Sequence, residues 1–498
     1  MSRLRRVVNN TVISLAGQLV TWASTFLLMA AYGRFLGDVK FGELYFATSF
    51  VLLIGIPIER GFDQQVTREV AQRPDQALRY LSNTVLIKTV LWVVLFALLL
   101  FLCRLLGYSE EVYHLVMICG VSLLSTSIAT TFGSVHYAFE RVLHPVIGTI
   151  LEKGLTALVG ILLLRNGATV QTMAFVLLGG SLVSMLWQAF WCFKAVGFGF
   201  ALDRAVLRAL LRTSIPFIVY GMVGVLYYRL DTVMLSLMTN DAVVGWYGAG
   251  YRLFDTLTFL PNLIISAIMY PVFSKLSMQD EGALKTAIEK TMNFLLFCGL
   301  PIATLMILSA PNILGFLYHR TEFDHTIPVL QALAPGLVFL YLNSIFSAIV
   351  VSLKQEKKIM VQAAIALVFN CLGNVVCIQL FQHVGSAAIT SCTEMLLCGL
   401  YFFFSVPRHL LPRRSAMVLL KTLVACVALA AVAFLLQRFH IFVILPAAMV
   451  VYLAFAFLLG SIPREDLLAL YQAVRYKAQR KNASVSLNGG QEEPVKLS

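Results

Sequence analysis

The sequence predicts an all-α polytopic membrane protein with about 14 transmembrane helices, and three observations support this fold class. Of its 498 residues, 59% are hydrophobic and only 13% are charged, with a mean hydropathy of +0.83. A soluble domain averages roughly 45–50% apolar and ~25% charged residues. Apolar runs long enough to cross ~30 Å of hydrocarbon recur along the chain. An internal repeat relates two of their hairpins, and no large soluble domain is left.

The apolar runs predict the spans in order. Basic residues precede the first run as in a signal peptide, but the run continues to Leu36. This is longer than a typical signal sequence, so we expect a retained first helix. The predicted spans are 11–36, 42–62, 81–103, 112–135, 145–164, 170–193, 213–238, 243–271, 288–310, 326–352, 359–381, 384–406, 416–436 and 441–462.

The repeat appears at two hairpins that six spans separate. Asp38 and Gly42 recur 203 residues later as Asp241 and Gly245. Six intervening spans give both hairpins the same direction, which predicts two parallel six-helix lobes with the substrate between them. The predicted units are an N-terminal lobe at 1–200, a C-terminal lobe at 201–408, two peripheral helices at 409–463 and a cytoplasmic tail at 464–498.

The distribution of basic residues predicts the orientation. Connections on the side of the N-terminus hold 28 lysines and arginines, and those on the opposite side hold 6. The positive-inside rule therefore predicts that both termini lie in the cytoplasm. The expected location is the cytoplasmic (inner) membrane. This asymmetry explains most of the net charge of +13 without nucleic acid. Residues 197–212 predict a basic amphipathic helix between the lobes, attracted to anionic membrane lipid.

The central hairpin, residues 215–273, carries the main functional clue. Arg229 and Arg252 lie equally far from the turn at Thr239–Asp241, so both guanidiniums are expected at one depth, about 17 Å below it. A charge near the midplane costs from ~2.5 to over 10 kcal/mol, and arginine does not lose its proton. Two such arginines predict a bound anion or a water-filled cavity.

The spacing of acidic neighbours predicts how these arginines are compensated. Arg252 and Asp255 are three residues apart and share a helix face, which favours an ion pair. Arg229 and Asp231 are two apart and point to different sides, so Arg229 is predicted to face a cavity. A cross-helix pair of Asp231 with Arg252 remains open.

Charges inside other spans are further candidates. In span five, Lys153 is expected to face the interior while Glu152 caps another group. Glu394 lies near the middle of span twelve without an adjacent base, so it is either a neutral hydrogen-bonded acid or coupled to a cation. The charged run from Glu59 to Glu69 at the end of span two is either a solvated helix end or a functional element.

The sequence gives no sign of enzymatic chemistry. It has no nucleotide-binding loop, no nucleophile elbow and no zinc-protease motif, and its nine cysteines form no CxxC pair. We therefore expect no catalytic residues, no cofactor and no metal site.

Three stretches resemble the O-antigen (Wzx-type) polysaccharide flippases of the multidrug/oligosaccharidyl-lipid/polysaccharide (MOP) exporter superfamily. They are RFLGDVKFGELYFATSF with IERGFDQQVTREVA, then YYRLDTVMLSLMTNDAVVGWYGAGYRLFD, and PVFSKLS. The resemblance covers nearly the whole chain and implies MATE-like lobes, alternating access and a lipid-linked oligosaccharide, typically on undecaprenyl diphosphate. It implies a cationic cavity, for which Arg229, Arg252 and Lys153 are the candidates. Similarity to lipid II flippases makes Glu59, Arg60 and Asp63 gate candidates.

The chemistry agrees with this implication, because arginine forks match phosphate oxygens in bidentate fashion. Asp231, Asp255, Glu152 and Glu394 are then candidate charge partners or coupling residues. A coupling Na⁺ or H⁺ and a polysaccharide polymerase or glycosyltransferases are possible partners. The alternatives are a cation-coupled multidrug antiporter of the same superfamily, a membrane polymerase or glycosyltransferase, and a scaffold of polysaccharide assembly.

Overall fold

The computed structural model describes residues 3–59, 61–412 and 414–461, and these residues form helices and turns without a strand. Eleven of the described helices are long and apolar enough to cross a membrane, or twelve when one bent pair counts as a single span. Two of these helices each contain a sharp break and make two crossings, as described below. The described chain therefore agrees with the prediction of about fourteen spans.

The first half contains α1 (Arg3–Glu59), α2 (Phe62–Gln72), α3 (Ala77–Leu105), α4 (Glu110–Ala138), α5 (Leu143–Arg165), α6 (Val170–Val196), α7 (Arg204–Met238) and α8 (Asp241–Leu257). The second half contains α9 (Phe259–Asn262), α10 (Tyr270–Gln279), α11 (Glu281–Leu308), α12 (Ala310–Tyr318), α13 (Ile327–Ser352), α14 (Glu356–Phe404), α15 (Arg414–Leu435) and α16 (Ile441–Leu458).

Two non-helical residues divide the longest helices. Gly37 has φ 80° and ψ 177° inside α1, and Gln382 has φ 49° and ψ −127° inside α14. A straight helix of the 57 residues in α1 would be ~85 Å long, nearly three times the hydrocarbon thickness. Each break therefore separates two crossings, at the places where the sequence predicts the turns between spans one and two and between spans eleven and twelve.

Spans seven and eight are irregular. Helix α7 bends by 43° between Val219 and Gly221. Span eight consists of α8, α9 and α10, with a π-helical stretch from Leu263 to Met269 between the last two. Pro261 precedes this stretch and lacks the amide hydrogen that would continue an α-helix.

The segment predicted as an amphipathic helix at 197–212 is helical only from Arg204. Residues 197–203 are non-helical, because Gly197 ends α6 at φ 91° and Asp203 caps α7 through its carboxylate, which accepts from Ala205 N at 2.8 Å. Asn83 holds the extended segment against α3 by donating to Ala201 O and accepting from Asp203 N.

Two other regions complete the second half. The segment 311–325, which separates the predicted spans 288–310 and 326–352, is largely helical, since α12 occupies Ala310–Tyr318. The last two spans pack on α11, where the Tyr452 hydroxyl donates to Phe297 O at 2.6 Å. The predicted tail at 464–498 lies outside the described residues.

Candidate functional site

The two copies of the repeat contact each other directly. A Cβ atom on Gly42 would overlap Asp241 O and lie 2.8 Å from Gly245 N, while one on Gly245 would overlap Asp38 O and lie 3.2 Å from Gly42 N. Only glycine permits this backbone-to-backbone crossing. Equivalent positions of the repeat therefore meet reciprocally, where α1 and α8 cross.

Hydrogen bonds close this same end of the bundle, which we call the outer end following the predicted orientation. The indole nitrogen of Trp246 donates to Asp38 Oδ2 at 2.8 Å. Arg34 donates to the last carbonyl groups of α12 at 2.6 Å, and Arg320 donates back to Arg34 O at 2.9 Å. The first hairpin is thus tied to both α8 and α12.

Arg229 and Arg252 both contact one buried tyrosine, Tyr45. Arg229 Nη1 donates to the Tyr45 hydroxyl at 3.2 Å, and the Arg252 guanidinium carbon lies 5.3 Å from the centre of the Tyr45 ring. Both guanidiniums therefore contact the same side chain, which agrees with the common depth that their equal distance from the turn predicts. A desolvated cation over an aromatic face gains roughly 0.5–2 kcal/mol.

The predicted pairing of these arginines is wrong. Asp255 pairs with Arg229, whose Nη2 lies 2.9 Å from its Oδ2, and not with Arg252. Within the described parts of the chain, Arg252 forms no ion pair. Asp231 is only 2% exposed and accepts from the Tyr247 hydroxyl and from Thr232 N, so it is no partner for Arg252. Spacing along α8 permitted a pair with Arg252, but the facing helix places Arg229 closer.

Several cavities meet around these charges. The central cavity, about 660 Å³, is lined by Arg229 and Asp255 and extends to Gln64 and Phe217. A side cavity of about 290 Å³ lies between α1 and span eight and shares Asp255 with the central cavity. The side cavity is lined by Gln18, Trp22, Asp255, Thr258, Phe259, Asn262 and Leu263.

Arg252 reaches a separate cavity, which we call the N-terminal cavity. It has a volume of about 280 Å³ and is otherwise lined by residues of α1, α4, α5 and α6, among them Lys153, Glu152 and Glu59. Lys153 Nζ lies 2.7 Å from Glu152 Oε1, so the expectation that Glu152 caps another group is wrong. The Lys153 side chain remains 42% exposed, which leaves donors of its ammonium available to this cavity.

The residues of the charged run at the end of span two lie in different environments. Asp63 pairs with Lys88 at 2.9 Å and accepts from Thr131 at 3.0 Å, so it anchors α2 to α3 and α4. Lys88 is one of the 28 basic residues counted in the connections, and that assignment is wrong. It is fully buried in α3, where Asp63 compensates its charge. Glu59 lines the N-terminal cavity, and Arg60 lies outside the described residues.

Glu394 is held by two hydrogen-bond donors. Its carboxylate accepts from the Tyr227 hydroxyl at 2.9 Å and from Asn343 Nδ2 at 2.7 Å, and the residue is 2% exposed. Tyr227 and Asn343 are not among the residues predicted from the sequence. An asparagine in the middle of an apolar span was the available signal, since a buried amide requires partners.

Comparison with known proteins identifies the family. Residues 7–277 match the sequence profile of a family described as polysaccharide biosynthesis protein, and residues 216–376 match the profile described as MatE. The probable low-salt glycan biosynthesis flippase Agl15 of Haloferax volcanii is 22% identical over 371 residues, which cover 74% of this chain and 76% of that protein.

Two solved structures share the fold. The lipid II flippase MurJ, in an inward closed conformation, superposes with a TM-score of 0.72 at 16% identity, over 93% of this chain and 100% of that one. An inward-facing MATE multidrug resistance transporter of the MOP superfamily superposes with a TM-score of 0.65 at 14% identity, over 79% and 97%. Because the first profile spans more than half of the sequence, the chain belongs to the polysaccharide biosynthesis protein family.

Proposed function

We propose that this protein moves a polyprenyl-diphosphate-linked oligosaccharide across the cytoplasmic membrane by alternating access, for surface polysaccharide biosynthesis. The observation that carries the proposal is Arg252, a guanidinium at membrane depth that forms no ion pair among the described residues and faces a cavity. The named functions of Agl15 and MurJ, a glycan flippase and a lipid II flippase, support the same class of substrate.

The two arginines have different roles in this proposal. Arg252 and Lys153 supply positive charge to the N-terminal cavity and bind the diphosphate oxygens. Arg229 is held by Asp255 in the empty carrier, which lowers the cost of its charge in the membrane. Phosphate oxygens that reach the central cavity then compete with Asp255 for Arg229. This exchange couples substrate binding to the contact between α7 and α8.

The lipid tail has a path that avoids the polar interior. The side cavity between α1 and span eight shares Asp255, Thr258 and Asn262 with the central cavity, and its walls carry Trp22 and Phe259. A head group in the central cavity is thereby continuous with the side cavity, where Trp22, Phe259 and Leu263 provide the apolar part of the lining. Hydroxyl groups of the sugars stay solvated in the cavities instead of crossing hydrocarbon unpaired.

The cavities and contacts also support a direction of transport in this proposal. The outer end is closed by the glycine crossing and by Trp246, whereas the central cavity extends to Gln64 and Phe217 at the predicted cytoplasmic end. This conformation receives substrate from the cytoplasm, with both termini on that side. Release to the other side then requires Gly42 and Gly245 to separate. A Na⁺ or H⁺ gradient and polymerase or glycosyltransferase partners complete the proposed cycle.

The test combines binding with function. Arg252→Ala should lower the affinity of the purified protein for undecaprenyl diphosphate about 10–100-fold, the loss typical of charge-assisted hydrogen bonds. Arg252→Lys should restore part of it, because an ammonium lacks the planar fork. Arg165→Ala, at the end of α5 and outside the cavities, is the matched control. Unchanged affinity together with normal surface polysaccharide in a complemented deletion strain would overturn the proposal.

A multidrug antiporter is the alternative, since MATE structures share the fold. Arg252, which forms no ion pair among the described residues, would repel a cationic drug in the N-terminal cavity, whereas Glu59 and Glu152, which also line it, would attract one. Strong binding of organic cations with no binding of undecaprenyl diphosphate would support the antiporter.

A further inference from the structure

A second large cavity lies beside the central one, and its chemistry is different. This C-terminal cavity has a volume of about 460 Å³ and is lined by α13, α14 and span eight together with Tyr228. Its polar lining consists of the carboxylate Glu394, two asparagines, serine hydroxyls and tyrosines. The described lining residues include no lysine, arginine or histidine. The cavity is therefore unsuited to a phosphate and suited to groups that donate hydrogen bonds.

Two buried acceptors in this cavity have unused capacity. Asn343 is only 6% exposed, yet its Oδ1 has no hydrogen-bond partner among the described residues, although its Nδ2 binds Glu394. The Glu394 carboxylate accepts two side-chain hydrogen bonds, from Tyr227 and Asn343, and an ionised carboxylate can accept about four. A buried acceptor without a partner costs roughly 1–3 kcal/mol. A ligand that donates hydrogen bonds would relieve this cost.

The C-terminal cavity adjoins the central cavity. Tyr228, Asn262, Leu340 and Ser344 line both. On α7, Tyr227 binds Glu394 while Arg229, two residues later, lines the central cavity. A ligand whose phosphate lies near Arg229 can therefore extend its next chemical group towards Glu394.

We propose that the C-terminal cavity is a glycan subsite, in which Glu394 and Asn343 accept hydrogen bonds from the hydroxyl groups of one sugar of the lipid-linked oligosaccharide. This inference rests on the proposed function and assigns the part of the substrate that this cavity takes. A pyranose ring presents apolar faces together with hydroxyl groups that donate and accept hydrogen bonds. The tyrosine rings, serine hydroxyls and carboxylate of this cavity match those features.

The volume of the C-terminal cavity favours a sugar site over a site for a single cation. A water molecule occupies about 30 Å³ in the liquid, and a bare monovalent cation is no larger than a water. The volume of about 460 Å³ lies within the ~300–1,000 Å³ range of sites for organic ligands. A cavity of this volume accommodates a ring with several hydroxyl groups, which is far larger than a single ion.

The experiment compares two probes on the purified full-length protein. One is undecaprenyl diphosphate, which has no sugar, and the other is the polyprenyl-diphosphate-linked glycan that accumulates in native cells lacking this gene. The wild type should bind the glycosylated probe at least tenfold more tightly. Glu394→Gln should reduce that preference to about onefold and leave the affinity for undecaprenyl diphosphate unchanged, because the basic residues Arg229, Arg252 and Lys153 remain.

A second variant keeps the test valid if Glu394→Gln folds poorly. Ser347 lines only the C-terminal cavity, so Ser347→Leu should fill it and abolish the preference for the glycosylated probe. Cys392→Leu adds bulk to an exposed position of α14 that lines none of these cavities, and it should keep the preference. Melting temperatures measured on each variant identify any loss of folding.

The outcomes are distinct. Equal binding of both probes by the wild type would overturn the glycan subsite, and so would equal losses for both probes in Ser347→Leu. Preference retained in Glu394→Gln, with loss of a Na⁺ or pH response, would overturn it in favour of a cation site. Failure of the wild type to bind undecaprenyl diphosphate at all would instead contradict the proposed function.

Discussion

Gly42 and Gly245 hold equivalent places in the two copies of the repeat, and each lies against the other's helix backbone. A Cβ atom on Gly245 would lie 3.2 Å from Gly42 N, and one on Gly42 would lie 2.8 Å from Gly245 N. Because backbone atoms surround both positions, no side chain can rotate away to make room. The closed outer end therefore depends on the absence of two β-carbons.

Gly42→Ala and Gly245→Ala should each destabilise the closed outer end by about 1–3 kcal/mol, the usual cost of overpacking. We expect a lower melting temperature in detergent and greater alkylation of a cysteine introduced at Trp246. Gly179→Ala, on α6 with no neighbouring atom within 4 Å of its added Cβ, is the control and should behave as the wild type. Equal effects at all three positions would contradict the proposed crossing.

Asp255→Asn should destabilise the protein, because it leaves Arg229 without its ion-pair partner at membrane depth. Both side chains are partly exposed to the central cavity, so we expect about 1–3 kcal/mol rather than the ~3–5 kcal/mol of a fully buried pair. In a double-mutant cycle with Arg229→Gln, the second substitution should recover part of the loss. Additive melting-temperature changes would show that the pair contributes nothing.

Lys88→Met should destabilise the protein by about 3–5 kcal/mol, since it strands the Asp63 carboxylate beside α3 and α4. The double variant Lys88→Met with Asp63→Leu should be more stable than Lys88→Met alone, because it removes both charges. Thermal unfolding in one detergent measures both. A double variant no better than the single one would show that Asp63 is solvated without Lys88.

The cluster of Lys40, Glu43 and Glu111 at the outer end should make stability depend on alkaline pH. Partial burial opposes the charged lysine, but hydrogen bonds to Glu111 and Glu43 prevail and raise the pKa of Lys40 above its usual 10.5. A raised lysine pKa stabilises the folded protein fully below pH 10.5 and loses that contribution as pH rises through the folded pKa.

Melting temperatures measured from pH 7 to 11 test this expectation. The wild type should lose more stability above pH 10.5 than Lys40→Met, which lacks the titrating group. Parallel curves for the two proteins would show that the cluster is not coupled to folding.

Features that follow from chain order were predictable from the sequence. The spans, the repeat and the common depth of Arg229 and Arg252 depend only on residue counts along helices of known rise. The ion-pair partners were not predictable in the same way, because they depend on the rotation of one helix against another. Asp255 could form an ion pair with Arg252 along α8, but α7 packs so that Asp255 pairs with Arg229 instead.

Buried polar contacts between distant segments could not be predicted from the sequence either. Lys88 pairs with Asp63 over 25 positions of the chain, and Glu394 binds Tyr227 over 167. Patterns within one helix carry no record of such partners. The extended segment before Arg204 could have been predicted. Gly197 and Gly199 disfavour a helix and Asp203 is a helix cap, but the prediction followed the basic amphipathic pattern instead.

The π-helical stretch of span eight fixes an angular offset between its two ends. A π turn holds about one residue more than an α turn, so the helix beyond Met269 is rotated by ~100° relative to an uninterrupted α-helix. Restoring α geometry between Leu263 and Met269 would turn Tyr270 away from the C-terminal cavity while Arg252 and Asp255 kept their places. A change between π and α geometry would thus rotate the inner half of span eight, and the side chains it presents to the cavity, without moving its outer half.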